Sequence, residues 1–208
     1  MEYGALPKQF KLFGIPTSGK ELFDLAKAWF LISVAFSFIF KTPENAWLFS
    51  FVAAFLTVGS AFLIHELAHK LAAQRYRCWA EFRSFDLMLA FAMLTALIGF
   101  VFAAPGAVMI RGNIKPDVNG RISIAGPGAN ILLAIMLGIS YILLWEYGAI
   151  GRVVLYGFLV NSWLALLNLL PIPSFDGRKV LDWNKPYYFF ALALSFSLLV
   201  ISYSLLSF

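Results

Sequence analysis

Charged side chains are scarce in this sequence, and their scarcity limits the kinds of protein that it can encode. Of its 208 residues, 13% are charged and 61% are hydrophobic, whereas about 25% of the residues in a soluble domain are charged. A soluble fold of this length could not cover so much apolar surface with so few polar side chains. The composition therefore excludes a soluble globular domain and predicts a chain embedded in a lipid bilayer.

Cysteine and histidine are also scarce, with one cysteine and two histidines in the whole chain. The single Cys78 excludes a disulfide framework within the chain. The net charge of +5 does not indicate a nucleic-acid partner, because the basic residues lie in short connectors between apolar runs, where membrane proteins keep them. We also expect no cleavable signal peptide, since the first apolar run has no small-residue cleavage site behind it.

Long apolar runs are what the sequence has in abundance. Six of them are candidates to cross a hydrocarbon core about 30 Å thick as helices: 22–40, 46–64, 87–104, 122–145, 153–170 and 187–207. Before them, residues 1–21 form a mixed segment that we expect on the cytoplasmic side. Within it, residues 9–15 suit a short strand, and Ser18 with Glu21 forms a capping box that opens a helix. The sequence thus predicts an N-terminal segment followed by one membrane-embedded domain, 22–208, with its core at about 46–180.

The run 87–104 differs from the others in its effect on topology. If all six runs cross the membrane, the Lys and Arg residues divide nine against seven between the two sides. If 87–104 enters and returns to its own side, they divide fourteen against two, with only Lys41 and Arg152 in the minority. The positive-inside rule favours the second arrangement, and Pro105-Gly106 ends a helix before residues suited to an extended segment.

The predicted fold class is therefore an all-α polytopic membrane protein. It has five full transmembrane helices and a re-entrant helix with an extended segment, and it leaves room for a small β-hairpin at the membrane edge.

Both histidines lie in the motif His65-Glu66-Leu67-Ala68-His69. On a helix, positions i and i+4 share one face, so the two imidazoles can bind one Zn²⁺. A Glu beside the first His can hold and deprotonate a water molecule at the metal. The alternative is an ordinary charged cluster at a helix end, but an ionisable cluster after a membrane-length apolar run is costly and indicates function.

A catalytic zinc site usually has a third protein ligand, and the chain has no third histidine. The candidates are a carboxylate or the thiolate of Cys78. Asp176 is notable because two prolines interrupt the apolar run before it, which lets the backbone leave the helix and turn a carboxylate inward. The plain alternative is a turn, since Asp-Gly is a common turn dipeptide. Only the topology with a re-entrant 87–104 brings Asp176 and the histidine motif to the same membrane face.

The two motifs together resemble the site-2 protease family of intramembrane zinc proteases, which pairs HExxH with N-x-x-P-x-x-x-x-D-G. The second motif is matched by Asn168, Pro171, Asp176 and Gly177. Between the motifs, residues 126–130 (Gly-Pro-Gly-Ala-Asn) resemble the small-residue segment that opens the middle core helix of the family. Small residues there allow close helix packing.

The resemblance implies that His65, His69 and Asp176 bind one Zn²⁺ and that Glu66 is the catalytic base. It implies that Asn168 lies near the site, where it binds substrate or the developing oxyanion, although an interhelical hydrogen bond explains that residue equally well. It also implies that residues 107–110 match an extended element that pairs with an unwound substrate strand, by strand addition; the alternative is a structural hairpin that fills the core.

The expected function is hydrolysis of peptide bonds in or near transmembrane segments of membrane-protein substrates. We expect it in a prokaryotic cell membrane, with the active site near the cytoplasmic face. Two alternatives stay open from sequence: a non-catalytic protein that binds membrane segments, and a small metal transporter. The sequence shows neither the duplicated halves nor the several intramembrane acidic groups that favour a transporter.

Overall fold

A computed structural model describes residues 9–43, 46–101, 105–112 and 114–206. Lys8, the end of the run 87–104 at 102–104 and the end of the last run at 207 lie outside the described residues.

The chain begins with a hairpin of two short antiparallel strands, β1 (Phe10–Leu12) and β2 (Ile15–Thr17). The expectation of one strand over residues 9–15 is wrong, because a turn at Phe13 and Gly14, both with positive φ, divides it. Helix α1 (Gly19–Phe40) follows. Ser18 caps it, accepting a hydrogen bond from the Glu21 N–H at 3.2 Å, so the predicted helix start is confirmed.

The second membrane-length segment runs from Trp47 to Arg75 and is interrupted once. Helix α2 (Trp47–Ala54) passes through a π-helical turn, Phe55–Gly59, into helix α3 (Ser60–Arg75). The Phe55 carbonyl in this turn accepts hydrogen bonds from the Trp29 indole N–H at 3.1 Å and from the Ser60 hydroxyl at 3.2 Å. Single π-helical turns inside α-helices occur frequently at functional sites, and this one directly precedes the histidine motif.

A re-entrant unit follows. Strand β3 (Trp79–Ser84) leads into helix α4 (Asp86–Ala96), and the chain returns as strand β4 (Gly106–Arg111). The 11 residues of α4 extend only about 16 Å, too short to cross the hydrocarbon core. Because β3 and β4 pair antiparallel, from Ser84 opposite Gly106 to Trp79 opposite Arg111, the chain returns to the point that it left. The re-entrant arrangement deduced from the basic residues agrees with this.

The C-terminal part is helical. Helices α5 (Pro116–Ser123) and α6 (Ala125–Leu144) form the third membrane-length segment, followed by α7 (Ala149–Asn168), the short α8 (Asp176–Trp183) and α9 (Lys185–Leu206). In the described residues, five helical segments are thus long and apolar enough to cross a membrane. The predicted fold class is confirmed.

The core lies where α1, α3, α7, α4 and β3 meet. Its buried apolar side chains form one cluster: Leu25, Ala28, Ile32, Val58, Ala61, Phe62, Phe82, Leu89 and Val160. On the opposite flank, α9 packs on α6 and α7. It leaves large apolar side chains exposed, among them Phe189, Phe196 and Ile201, as expected of a helix whose outer face contacts lipid. This packing holds α3 between the β3–β4 sheet and α6.

Candidate metal centre

The histidine motif lies on α3, near the end of the second membrane-length segment. His65, Glu66 and His69 are all buried. The helical spacing directs both imidazoles toward α6, where Gly126 lies opposite them. The local sequence therefore places two imidazole nitrogens next to each other inside the protein.

Asp176 reaches the same place from the other end of the fold. After α7 ends at Asn168, the segment with Pro171 and Pro173 leaves the helix, and Asp176 begins α8. Its Oδ2 lies 2.9 Å from Nε2 of His69 and 3.5 Å from Nε2 of His65. Gly177 is required for this approach, because a Cβ there would lie 2.2 Å from the Leu169 carbonyl oxygen. The structure thus brings together the three side chains that the sequence selects.

These three groups fit a zinc ion. Tetrahedral zinc with bonds of about 2.0–2.1 Å holds its ligand atoms about 3.3 Å from one another. Here the two Nε2 atoms lie 3.0 Å apart, and all three ligand atoms lie within 4.8 Å of one another. Two imidazoles and a carboxylate form a common donor set for catalytic zinc, which keeps a fourth position for water or substrate.

The shape of the cavity also fits an ion. A Cβ at Gly126 would lie 2.3 Å from Nε2 of His69 and 2.6 Å from Nε2 of His65. Any larger residue would therefore occupy the space in front of the two ligand nitrogens. The small-residue segment that opens α6 accordingly leaves room for a metal as well as for close helix packing.

Hydrogen bonds on the far side of each ring orient the histidines. Nδ1 of His65 lies 2.6 Å from Oδ1 of Asn130, and Nδ1 of His69 lies 2.9 Å from the Ile122 carbonyl oxygen. Both partners are acceptors, so each Nδ1 carries the proton of that hydrogen bond, and each Nε2 faces the site as the atom that can bind a metal. The Asn130 amide is itself fixed, since its Nδ2 donates to Oδ1 of Asn161 at 2.9 Å and to the Ala61 carbonyl at 3.2 Å.

The second oxygen of Asp176 faces a cation. Oδ1 accepts a hydrogen bond from Nζ of Lys179 at 3.4 Å. Burial raises the pKa of the Asp176 carboxyl, but the adjacent His69 and His65 outweigh it, so its pKa lies well below the ordinary value. The carboxylate therefore stays ionised at neutral pH, the state in which it can bind a metal.

Glu66 lies beside the ligands and faces the sheet. Its Oε2 accepts a hydrogen bond from the Val108 N–H of β4 at 3.2 Å. Val108 pairs with Phe82 across the sheet, so the N–H that Glu66 receives points away from β3, at the open edge of β4. The carboxylate of the motif thus lies between the metal-binding group and an edge of β4 that pairs with no other strand in the described residues.

Two other candidates are placed differently. The Asn168 amide donates to the Leu164 carbonyl, one turn back in its own helix, at 2.9 Å; its role at the site stays a prediction. Cys78, the alternative third ligand, is buried in a separate cluster with Ala73, Ala80 and Ile122. Among the described residues, the group that can hold a metal consists of the two histidines and Asp176.

Sequence reasoning missed the buried amides of Asn130 and Asn161. The sequence predicts close helix packing as the main role of the segment around Asn130. A signal was nevertheless present, because amides in the middle of apolar helices are costly unless they have partners. Both side chains are almost fully buried, with 0% and 2% of their surface exposed.

Comparison with known proteins gives two relatives. A protein of Methanocaldococcus jannaschii, described as a candidate zinc metalloprotease, is 40% identical over 171 residues, which cover 80% of this chain and 86% of the relative. A second candidate zinc metalloprotease, from Bacillus subtilis, is 29% identical over 145 residues, which cover 61% of this chain and 66% of that protein. No family model and no solved structure matches the chain.

The names of both relatives specify zinc, and the geometry of the site fits this ion. Because the archaeal relative matches most of the chain and five helices are able to cross a bilayer, the chain belongs to this family of zinc metalloproteases and is a multi-pass membrane protein.

Proposed function

We propose that this protein is a site-2 protease-like intramembrane metalloprotease. It hydrolyses peptide bonds in or near the transmembrane segments of membrane-protein substrates. The observation that carries the proposal is the position of the His65, His69 and Asp176 group, which lies near the C-terminal end of a membrane-length helix and beside the outer edge of β4. A site so placed can receive a peptide that enters from the membrane.

In this proposal His65, His69 and Asp176 hold one zinc ion. A zinc ion held there would supply Lewis acidity toward the scissile carbonyl and toward the attacking water. Glu66 accepts the proton of the attacking water and passes it to the leaving amine. Asn130 and the Ile122 carbonyl keep the two imidazoles in the tautomer that this arrangement requires.

A transmembrane substrate must unwind before it can be cleaved, because a helical peptide carbonyl is already hydrogen-bonded within its own helix. The edge of β4 offers the unwound segment new partners, by strand addition. The Val108 N–H supports this, since it points outward from the sheet and reaches Glu66. A substrate strand on this edge therefore passes directly in front of the proposed base, and residues that weaken the substrate helix favour cleavage.

We place the protein in a prokaryotic cell membrane with its site near the cytoplasmic face. Both relatives come from prokaryotes. The fourteen Lys and Arg residues of the majority side share that side with the histidine motif and Asp176, and majority-basic loops face the cytoplasm.

The test is cleavage of a model transmembrane substrate by the purified protein in lipid vesicles. We expect cleavage that stops when a chelator removes zinc and returns when zinc is restored. Substrate that binds but stays intact would indicate a non-catalytic protein that binds membrane segments. Zinc uptake into the vesicles without cleavage would indicate a metal transporter, and either result would overturn the proposal.

A further inference from the structure

A buried ion pair lies behind the metal centre, outside the machinery described so far. Nζ of Lys70, the residue after His69, lies 2.5 Å from Oε2 of Glu21 on α1. Both side chains are buried, with 2% of Lys70 and none of Glu21 exposed. The Thr17 hydroxyl also donates to Oε2 of Glu21, at 2.6 Å.

The other oxygen of Glu21 holds the sheet. Oε1 accepts the Phe82 N–H of β3 at 2.9 Å. Phe82 lies directly opposite Val108, whose own outward N–H donates to Glu66. Two glutamates therefore bind the two outward N–H groups of one cross-strand pair, Glu21 on the β3 side and Glu66 on the β4 side.

Both of these connections lead back to the same face of α3. Glu66 and Lys70 are four residues apart, so their side chains lie one turn apart on that face. Glu66 contacts β4 directly, and Lys70 reaches β3 through Glu21. The sheet is thereby fixed to the helix at two points, which sets the position of the open strand edge relative to the motif.

Stability alone does not account for the pair. The desolvation of two buried charges offsets much of their attraction, and well-packed apolar residues of similar volume are often as stabilising. What an ion pair adds is a defined geometry, since the carboxylate must face both the ammonium and a backbone N–H. A further hydrogen bond joins α3 to the N-terminal segment that carries Glu21, because the Gln74 side chain donates to the Pro16 carbonyl at 3.0 Å.

We propose that Lys70 and Glu21 are positioning residues that hold the outer edge of β4 next to the carboxylate of Glu66. This inference rests on the proposed function, because a correctly placed edge matters only if substrate binds there. A displacement of about 1 Å between a substrate and its catalytic groups can reduce the rate about 100-fold.

The informative variant is the double change Glu21→Gln with Lys70→Met. Lys70→Met alone leaves a buried carboxylate without its cation, whereas the double variant removes both charges, keeps the side-chain volumes and keeps an oxygen for the Phe82 N–H. The matched control is Lys27→Met, which breaks the exposed ion pair of Lys27 with Asp86 at 2.6 Å. Lys70→Arg, which preserves the charge, tests for rescue.

Four quantities are measured on the same preparations: zinc content, kcat for a transmembrane substrate, KM for that substrate, and amide hydrogen exchange in residues 105–111. For the double variant we expect a folded, zinc-loaded protein whose kcat falls about tenfold or more while KM changes little, with faster exchange in β4. Lys27→Met stays like the wild type, and Lys70→Arg retains more activity than the double variant.

Wild-type kcat and wild-type exchange in the double variant would overturn the proposal. Loss of the fold or of zinc in that variant would assign the pair a purely structural role and would also overturn it. If the wild type itself cleaves no transmembrane substrate, the proposed function fails, and the exchange of β4 still decides whether the ion pair positions the sheet.

Discussion

Asp176 is the acidic member of the metal-binding group in the described part of the chain. We expect Asp176→Ala to reduce the zinc retained after gel filtration by more than about tenfold, because changes to residues behind the ligands already cost about 10- to 100-fold. The measurement is elemental analysis of the eluted protein. The control is Asp182→Ala on the same helix, where the carboxylate forms an exposed pair with Arg178. Equal zinc content in both variants would remove Asp176 from the ligand set.

Asn130 is the residue whose importance only the structure reveals. Asn130→Leu leaves Nδ1 of His65 without this acceptor and Oδ1 of the buried Asn161 without this donor. We expect zinc affinity, measured by competition with a chelator, to fall about 10- to 100-fold.

Ser140→Ala is the matched control for Asn130, because Ser140 is a half-buried residue of the same helix whose hydroxyl donates to the Met136 carbonyl, away from the metal centre. Unchanged zinc affinity in Asn130→Leu would show that the amide does not orient His65.

The two histidine ligands could be predicted from the sequence because their spacing of four residues places them on one face of a helix. The third ligand was harder to identify, since its approach depends on a backbone that leaves α7 and returns at α8. The roles of Asn130 and of the pair Lys70–Glu21 depend on contacts between residues distant in sequence. No local pattern predicts such contacts.

At the scale of elements, the close approach of α6 to α3 makes the metal cavity. We expect Gly126→Ala to lose zinc, because its Cβ would lie within 2.3 Å of a ligand nitrogen. Gly128→Ala is a matched control, two residues away in the same segment, since a Cβ there meets nothing within 4 Å. Zinc content after gel filtration distinguishes the two. Retention by Gly126→Ala equal to that of Gly128→Ala would contradict the proposed position of the ion.

The sequence predicts one strand of the re-entrant unit and not the other. The count of basic residues and Pro105-Gly106 predicted a return and an extended segment, which is β4. Strand β3 was not predicted, because residues 79–84 mix apolar and charged side chains without a clear alternation. The charged members have partners inside the protein: Glu81 is fully buried and accepts hydrogen bonds from Gln9 and Ser18.

At the scale of the whole molecule, the topology puts both halves of the site on one membrane face. We expect an introduced Cys at Asp117 to be protected from an impermeant thiol reagent in intact cells and to react after lysis. An introduced Cys at Glu146, between α6 and α7, should react in intact cells. Cys78 is buried and contributes little background. Labelling of position 117 from outside would contradict the proposed orientation.

The peripheral helices are the part of the molecule that the motifs did not determine. Helix α1 packs on α2, α4 and β3, whereas α9 packs on α6, α7 and α8. The N-terminal segment contacts the sheet through the side chains of Gln9 and Ser18, which donate to Glu81, and it contacts α3 through the Pro16 carbonyl. Residues 9–21 are thus part of the packing around the site.

The central claim is that a zinc centre built by α3 and Asp176 cleaves peptide bonds with Glu66 as the base. The most direct measurement compares wild type and Glu66→Gln for zinc content and for cleavage of the same transmembrane substrate in the same vesicles. Gln keeps an oxygen that can accept the Val108 N–H but cannot take a proton from water at neutral pH. We predict a folded, fully zinc-loaded variant with no detectable cleavage. Cleavage by Glu66→Gln at the wild-type rate would contradict the account.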